Sequence, residues 1–155
     1  MAILYFEADR QTMTERTFTK PSISLASAKK MLYAVEAKAN ALGVPMITAI
    51  VDESGKLKAF SRMDGAPLLS LDLAIDKAWS GASFPVKTHE WYDLIKDDAA
   101  SLLSVPLIRG LTTSGGGYPL IIGDQIVGGI GVSGGTTAQD IACAESALMV
   151  FGQGF

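Results

Sequence analysis

The run "YPLIIGDQIVGGIGVSGG", residues 118–135, constrains this chain more than any other stretch. Two apolar segments flank Gly123-Asp124, a pair suited to a two-residue turn, so the run reads as a β-hairpin. Yet Gly128, Gly129 and Gly131 sit inside its second strand, where glycine packs nothing and costs backbone entropy. A strand tolerates this when something approaches too closely for a side chain: a packed helix, a second subunit or a ligand. "TSGGG" before the hairpin and "SGG" at its end are permissive loops whose backbone N–H groups can face an anion. Neither continues into Gly-Lys-Ser/Thr, and no GxGxxG opens a helix after a strand, so no nucleotide loop is indicated.

The rest of the chain frames this hairpin. Leu25, Ala28, Leu32, Val35, Ala39 and Leu42 keep to one helical stripe, with Ser24 as N-cap, Gly43 as the stop and Pro45 beyond it. "MITAIVD", "ESGK" and "LKAFSRM" then read as strand, turn and strand. Both faces of the first of these strands are mostly apolar, so a central position covered on both sides is expected. Lys58, Phe60 and Arg62 share one face of the return strand, with Leu57, Ala59, Ser61 and Met63 on the other. Asp64 and Gly65 break it, and Pro67 suits the first turn of a helix whose apolar stripe is Leu68, Leu71, Ile75, Ala78 and Ala82. Ser70, Ala74, Lys77 and Gly81 form a second line on that helix. "THEWYDLIKD" and "DDAASLLSV" read as short helices with Thr88 and Asp97 as caps. A last helix starts near Thr137, with Asp140 as the acidic member of a capping box. Residues 1–21 have no clean period; Ile3–Phe6 reads as a short strand in an N-terminal arm, and residues 22–155 as the domain. Hairpins alternating with helices imply an α+β chain with antiparallel strands covered by helices.

Composition excludes several function classes. The chain has 155 residues, 48% hydrophobic and 19% charged, which suits one globular domain. A net charge of -3 without a basic patch argues against nucleic acid. One cysteine, Cys143, rules out an internal disulfide and a thiolate cluster, and no metal site is expected. The first residues lack a cleavage signal, and no run approaches the roughly 20 apolar residues of a membrane span, so a cytoplasmic chain without a membrane partner is expected.

The candidate chemistry sits around "RMDGAPLLSLDLAIDKAWSGA", residues 62–82. Arg62 can clamp a carboxylate with two parallel hydrogen bonds, and Asp64 or Asp72 can move a proton. Lys77 joins them as a cation further along the helix; Asp76 reads as a solvated charge. Gly115, Gly116, Gly117 and Tyr118, with Ser133 across the hairpin, are the candidate ligand-contacting residues. His89, the only histidine, reads as solvated, though one histidine suffices as an axial haem ligand. Cys143 reads as a small buried hydrophobe.

Taken together, "RMDGAPL", "GGGYPL" and "GGIGVSGG" within residues 22–151 resemble the GlcG/HbpS family, which includes the C-terminal domain of PduO-type proteins. The resemblance implies a single antiparallel sheet of about five strands flanked by helices, profilin-like in layout, and a homo-oligomer. It implies a small-ligand-binding protein in a catabolic setting, with haem or another tetrapyrrole as the ligand and Arg62 or Lys77 as partners of its propionates. Haem-binding relatives use a histidine in or near the first helix; "SLASAKKMLYAVEAKANAL" has none, which leaves His89, Met or Tyr side chains. The alternative is a cofactor-free enzyme acting on a small carboxylic acid or carbonyl compound through Arg62 and Asp64.

Overall fold

The structure, a computed structural model, describes residues 16–154. Helix α1 (Leu25–Leu42) leads into strands β1 (Ile47–Asp52) and β2 (Leu57–Arg62), then helix α2 (Leu69–Ser83). A 3-10 turn (Thr88–Glu90), short helices α3 (Trp91–Ile95) and α4 (Ala99–Ser104), and a second 3-10 turn (Val105–Leu107) follow. Strands β3 (Gly117–Ile122) and β4 (Gln125–Ser133) and helix α5 (Thr137–Phe151) complete the order.

The strands form one sheet in the order β2-β1-β4-β3, antiparallel throughout. Among the described residues it has four strands rather than the expected five. The two hairpins supply all four, and the chain between α2 and β3 forms short helices, as its sequence reads. The expected Ile3–Phe6 strand lies outside the described residues.

The helix ends follow local chemistry. Ser24 Oγ accepts from Ser27 N–H, and Gly43 stops α1 in the left-handed conformation at φ 67°. At α5 the capping box is Thr136 with Gln139, not Asp140, because the helix starts one residue after the cap. Asp98, rather than Asp97, caps α4 by accepting from Ala100 N–H.

β1 is central and buried on both faces, as its composition implies. Met46 and Ile50 join α1 and α5 in the larger core, with Ile130, Val132, Cys143 and Leu148. Ile47, Ala49 and Val51 face α2 through Ala74 and Ala78. The glycines of β4 explain that second interface. A Cβ on Gly129 would lie 2.1 Å from Ala78 O, and one on Gly131 would lie 2.1 Å from Ala74 O. The close approach required by the sequence is therefore made by a helix. It also widens the expected buried side of α2. Of the apolar stripe, Ala78 is fully buried, Leu71, Ile75 and Ala82 pack partly buried against this cluster, and only Leu68 stands exposed. The second line, Ser70, Ala74, Lys77 and Gly81, is buried as well, because backbone-to-backbone contact with β4 admits only small side chains there.

Candidate functional site

Arg62, Ile47 and Ser133 stand in register across β2, β1 and β4, so the first hairpin's exit and the second hairpin's last glycines meet at one end of the sheet. Gly134 lies against the chain just before β1: a Cβ there would lie 2.4 Å from Pro45 O and 2.9 Å from Met46 Cα. The residues gathered at this end nevertheless divide among separate environments.

Arg62 and Asp64 share a polar hollow of about 420 Å³ with Glu36, Asn40, Ser61 and Met63. Arg62 donates to Ala66 O at 3.3 Å, and no described carboxylate forms an ion pair with it. Ser61 Oγ donates to Glu36 Oε1, which fixes one wall. Met63 sulfur accepts from Met46 N–H at 3.3 Å, which tethers the strand exit to the start of β1. The hollow thus combines a guanidinium that can take a carboxylate with the carboxyl groups of Asp64 and Glu36. The glycine turns are not among its lining residues.

Lys77 lies elsewhere. It is fully buried, with Nζ 2.6 Å from Asp140 Oδ2 and 2.8 Å from Val132 O. Burial pulls its pKa below the ordinary lysine value, and the hydrogen bond and charge of Asp140 oppose that shift. Asp140 Oδ1 also accepts from Gly135 N–H at 3.0 Å. Gly116 leaves room for this pair, since a Cβ there would lie 2.9 Å from Asp140 Cβ and 2.7 Å from Val132 O.

Gly115, Gly116, Gly117, Tyr118 and Ser133 are all buried. Gly117 N–H is donated to Thr88 Oγ1 at 2.9 Å, and Gly116 O accepts from Val132 N–H at 3.0 Å. Tyr118 donates its hydroxyl to Glu145 Oε1 at 3.0 Å. Burial, then Glu145, push its phenol above the ordinary tyrosine value. His89 is not a solvated side chain. It is half-buried, its ring packs edge-on to Tyr118 at 5.8 Å, and Nδ1 is buried without a hydrogen-bond partner among the described residues. Cys143 is fully buried, and desolvation pushes its thiol up to about 11.

Asp72 is on the outer face of α2, lining a hollow with Leu68, Leu69, Leu71, Leu73 and Asp76. Asp76 is only partly exposed, and burial, then Asp72, raise its pKa while Arg109 lowers it. The structure therefore joins Arg62 with Asp64 and separates both from Lys77 and Asp72. Asp140, Glu145, Glu36 and Arg109 escape sequence reasoning. Only Asp140 had a signal: a lysine within a line of small residues calls for a buried carboxylate.

A haem site needs an apolar slot, an iron ligand and cations for the propionates. The hollow formed by Tyr92, Ile95, Leu102, Val105, Pro106, Leu111, Thr112 and Thr113 offers apolar walls and a phenol but no cation. The Arg62 hollow offers a cation beside two carboxylates, and its methionine sulfur is already engaged. His89 turns Nδ1 inward. Neither of these two hollows alone combines all three. Among them, no cluster of three or more histidine, cysteine, aspartate or glutamate residues fits a metal ion, and no helix is long and apolar enough to cross a membrane.

Known proteins resemble the chain over most of its length. Residues 23–149 match the sequence model of the family described as haem degrading protein HbpS-like. An uncharacterized 15.0 kDa protein in the dhaT-dhaS intergenic region of Citrobacter freundii is 40% identical over 85% of this chain and 94% of its own length. The corrinoid adenosyltransferase PduO of Salmonella typhimurium is 33% identical over 88% of this chain but only 41% of its own length. A crystal structure of PduOC in complex with heme superposes with a TM-score of 0.77, at 33% identity, over 83% of this chain and 94% of that one.

Proposed function

The chain belongs to the HbpS-like family, and on that premise we propose that it is a small-ligand-binding protein whose first ligand to test is haem or a related tetrapyrrole. The observation that carries this reading is the match of nearly the whole domain to PduOC, a protein crystallised with heme. The reading concerns binding alone. A cytoplasmic, catabolic setting and a homo-oligomeric state belong to the same proposal. The catabolic part draws on the family resemblance.

A second reading, a cofactor-free enzyme on a small carboxylic acid or carbonyl compound, is favoured by one observation. Arg62 is ion-paired with no described carboxylate and shares its hollow with Asp64. Arg62 would fix a substrate carboxylate and Asp64 would move a proton at the neighbouring carbon.

One titration series tests both. Hemin added to the full chain is expected to shift and sharpen its Soret band, saturating at a fixed ratio of hemin to chain. A spectrum equal to that of free hemin overturns the first reading. In parallel, a panel of small carboxylic acids is screened by thermal shift, where a ligand at about 100 times its Kd adds about 2.7 kcal/mol. The second reading expects an acid that stabilises the wild type but not Arg62→Ala. A panel with no such acid removes it.

A further inference from the structure

An outer strand carries a row of backbone N–H and C=O groups with no neighbour, and such a row invites pairing with another chain. β3 is an outer strand, with only β4 beside it among the described residues. Pro119 marks its open side, because proline has no N–H to give a ladder and is confined to strand edges. The groups on that side belong to Gly117, Pro119 and Ile121, since alternate residues turn their backbone groups the same way. A side chain meets each of them. Thr88 Oγ1 accepts from Gly117 N–H at 2.9 Å and lies 3.3 Å from Gly117 O, to which it donates. Gln153 Oε1 accepts from Ile121 N–H at 2.7 Å, and its Nε2 donates to Pro119 O at 3.1 Å. One side-chain amide thus makes both bonds, donor and acceptor, that the backbone of an added strand would make.

The turn after α5 delivers that amide. Gly152 ends the helix in the left-handed conformation at φ 86°, its N–H donated to Met149 O at 3.2 Å, and Gln153 N–H is donated to Leu148 O at 3.0 Å. The backbone of Gln153 is thereby fixed, and its side chain lies half-buried against β3. The structure assigns to Gln153, with Thr88, the role of closing the outer edge of β3 against the addition of a further strand. Thr88 holds both groups of Gly117, and Pro119 has no N–H to offer. Ile121 N–H is then the donor that an added strand would need, and Gln153 occupies it. The inference is independent of which ligand the chain binds.

Amide exchange read residue by residue, with sedimentation velocity on the same samples of the full chain, tests it. In dilute solution Gln153→Ala is expected to speed exchange at Ile121 about fivefold or more, the effect of losing one net hydrogen bond. Gly117, still held by Thr88, is expected to keep its wild-type rate. Raising the concentration is expected to slow Ile121 again and to produce species larger than the wild type forms, because the strand of a second copy takes the freed N–H. Gln153→Lys also lacks the acceptor, but a charge on the edge opposes strand pairing. Its Ile121 amide is expected to exchange fast at every concentration, with wild-type sedimentation. Wild-type exchange at Ile121 in Gln153→Ala overturns the inference, because nothing was capped. Fast exchange that ignores concentration, with wild-type sedimentation, overturns the closing role and leaves an ordinary hydrogen bond. Equal assembly of the two variants, or fast exchange at Gly117 as well as Ile121, traces the change to general loosening and also overturns it.

Discussion

A lysine ammonium without exposed surface must find its counter-charge inside the protein. Lys77 finds it in Asp140, with Val132 O as a second acceptor. Removing one partner of a buried pair leaves the other uncompensated, at a cost of about 3–5 kcal/mol, whereas replacing both with apolar groups is often close to neutral. Lys77→Met is therefore expected to lower urea stability by about that amount. Lys77→Met/Asp140→Leu should cost clearly less than the sum of the single changes, which a double-mutant cycle measures directly. Equal additive losses would show that the two groups do not act as a pair. The sequence makes half of this arrangement legible. Lys77 stands out among Ser70, Ala74 and Gly81. Asp140 does not, because it sits where a capping box would place an acid and Gln139 fills that role. A contact between residues 63 positions apart leaves no trace in local spacing.

Among the elements, α2 buries more than its apolar stripe. A periodicity argument assumes that the apolar stripe faces the core, and Leu71, Ile75, Ala78 and Ala82 do. The line of small residues beside them is buried too, because Gly129 and Gly131 present bare backbone to it. The glycines announce a close neighbour without saying which one. Helix α1 meets an ordinary apolar sheet face, and its stripe and both end signals are legible as they stand. Gly131→Ala would place a Cβ 2.1 Å from Ala74 O and 2.4 Å from Ala78 N, both backbone atoms that cannot rotate away. It is expected to destabilise by about 3 kcal/mol or more, at the upper end of overpacking costs. Gly154→Ala, where nothing lies within 4 Å of the new Cβ, is expected to change little. Matching urea midpoints for the two variants would refute the close contact.

Across the whole molecule, stability should be graded. β1 is central and buried on both faces, and β4 is paired on both edges. β2 is an outer strand with alternate residues exposed, and α4 buries no residue. Hydrogen exchange followed by mass spectrometry is expected to be slowest in Ile47–Asp52 and Gln125–Ser133 and faster in Leu57–Arg62 and Ala99–Ser104. Early exchange of β1 would contradict this order. At this scale the sequence conveys the hairpins and the two-sided burial of the first strand; that Arg62 and Ser133 share one end of the sheet comes from the register. The sequence does not convey how that end is partitioned, because side chains from α1, α2 and α5 set the partition and no short motif encodes such distant neighbours. The Lys77–Asp140 contact carries a mechanical consequence. It joins a helix on one side of the sheet to a helix on the other, like a bolt through plywood. Neither outer ply can shear along the strands without pulling that bolt, so a change at either end calls for a matching change at the other.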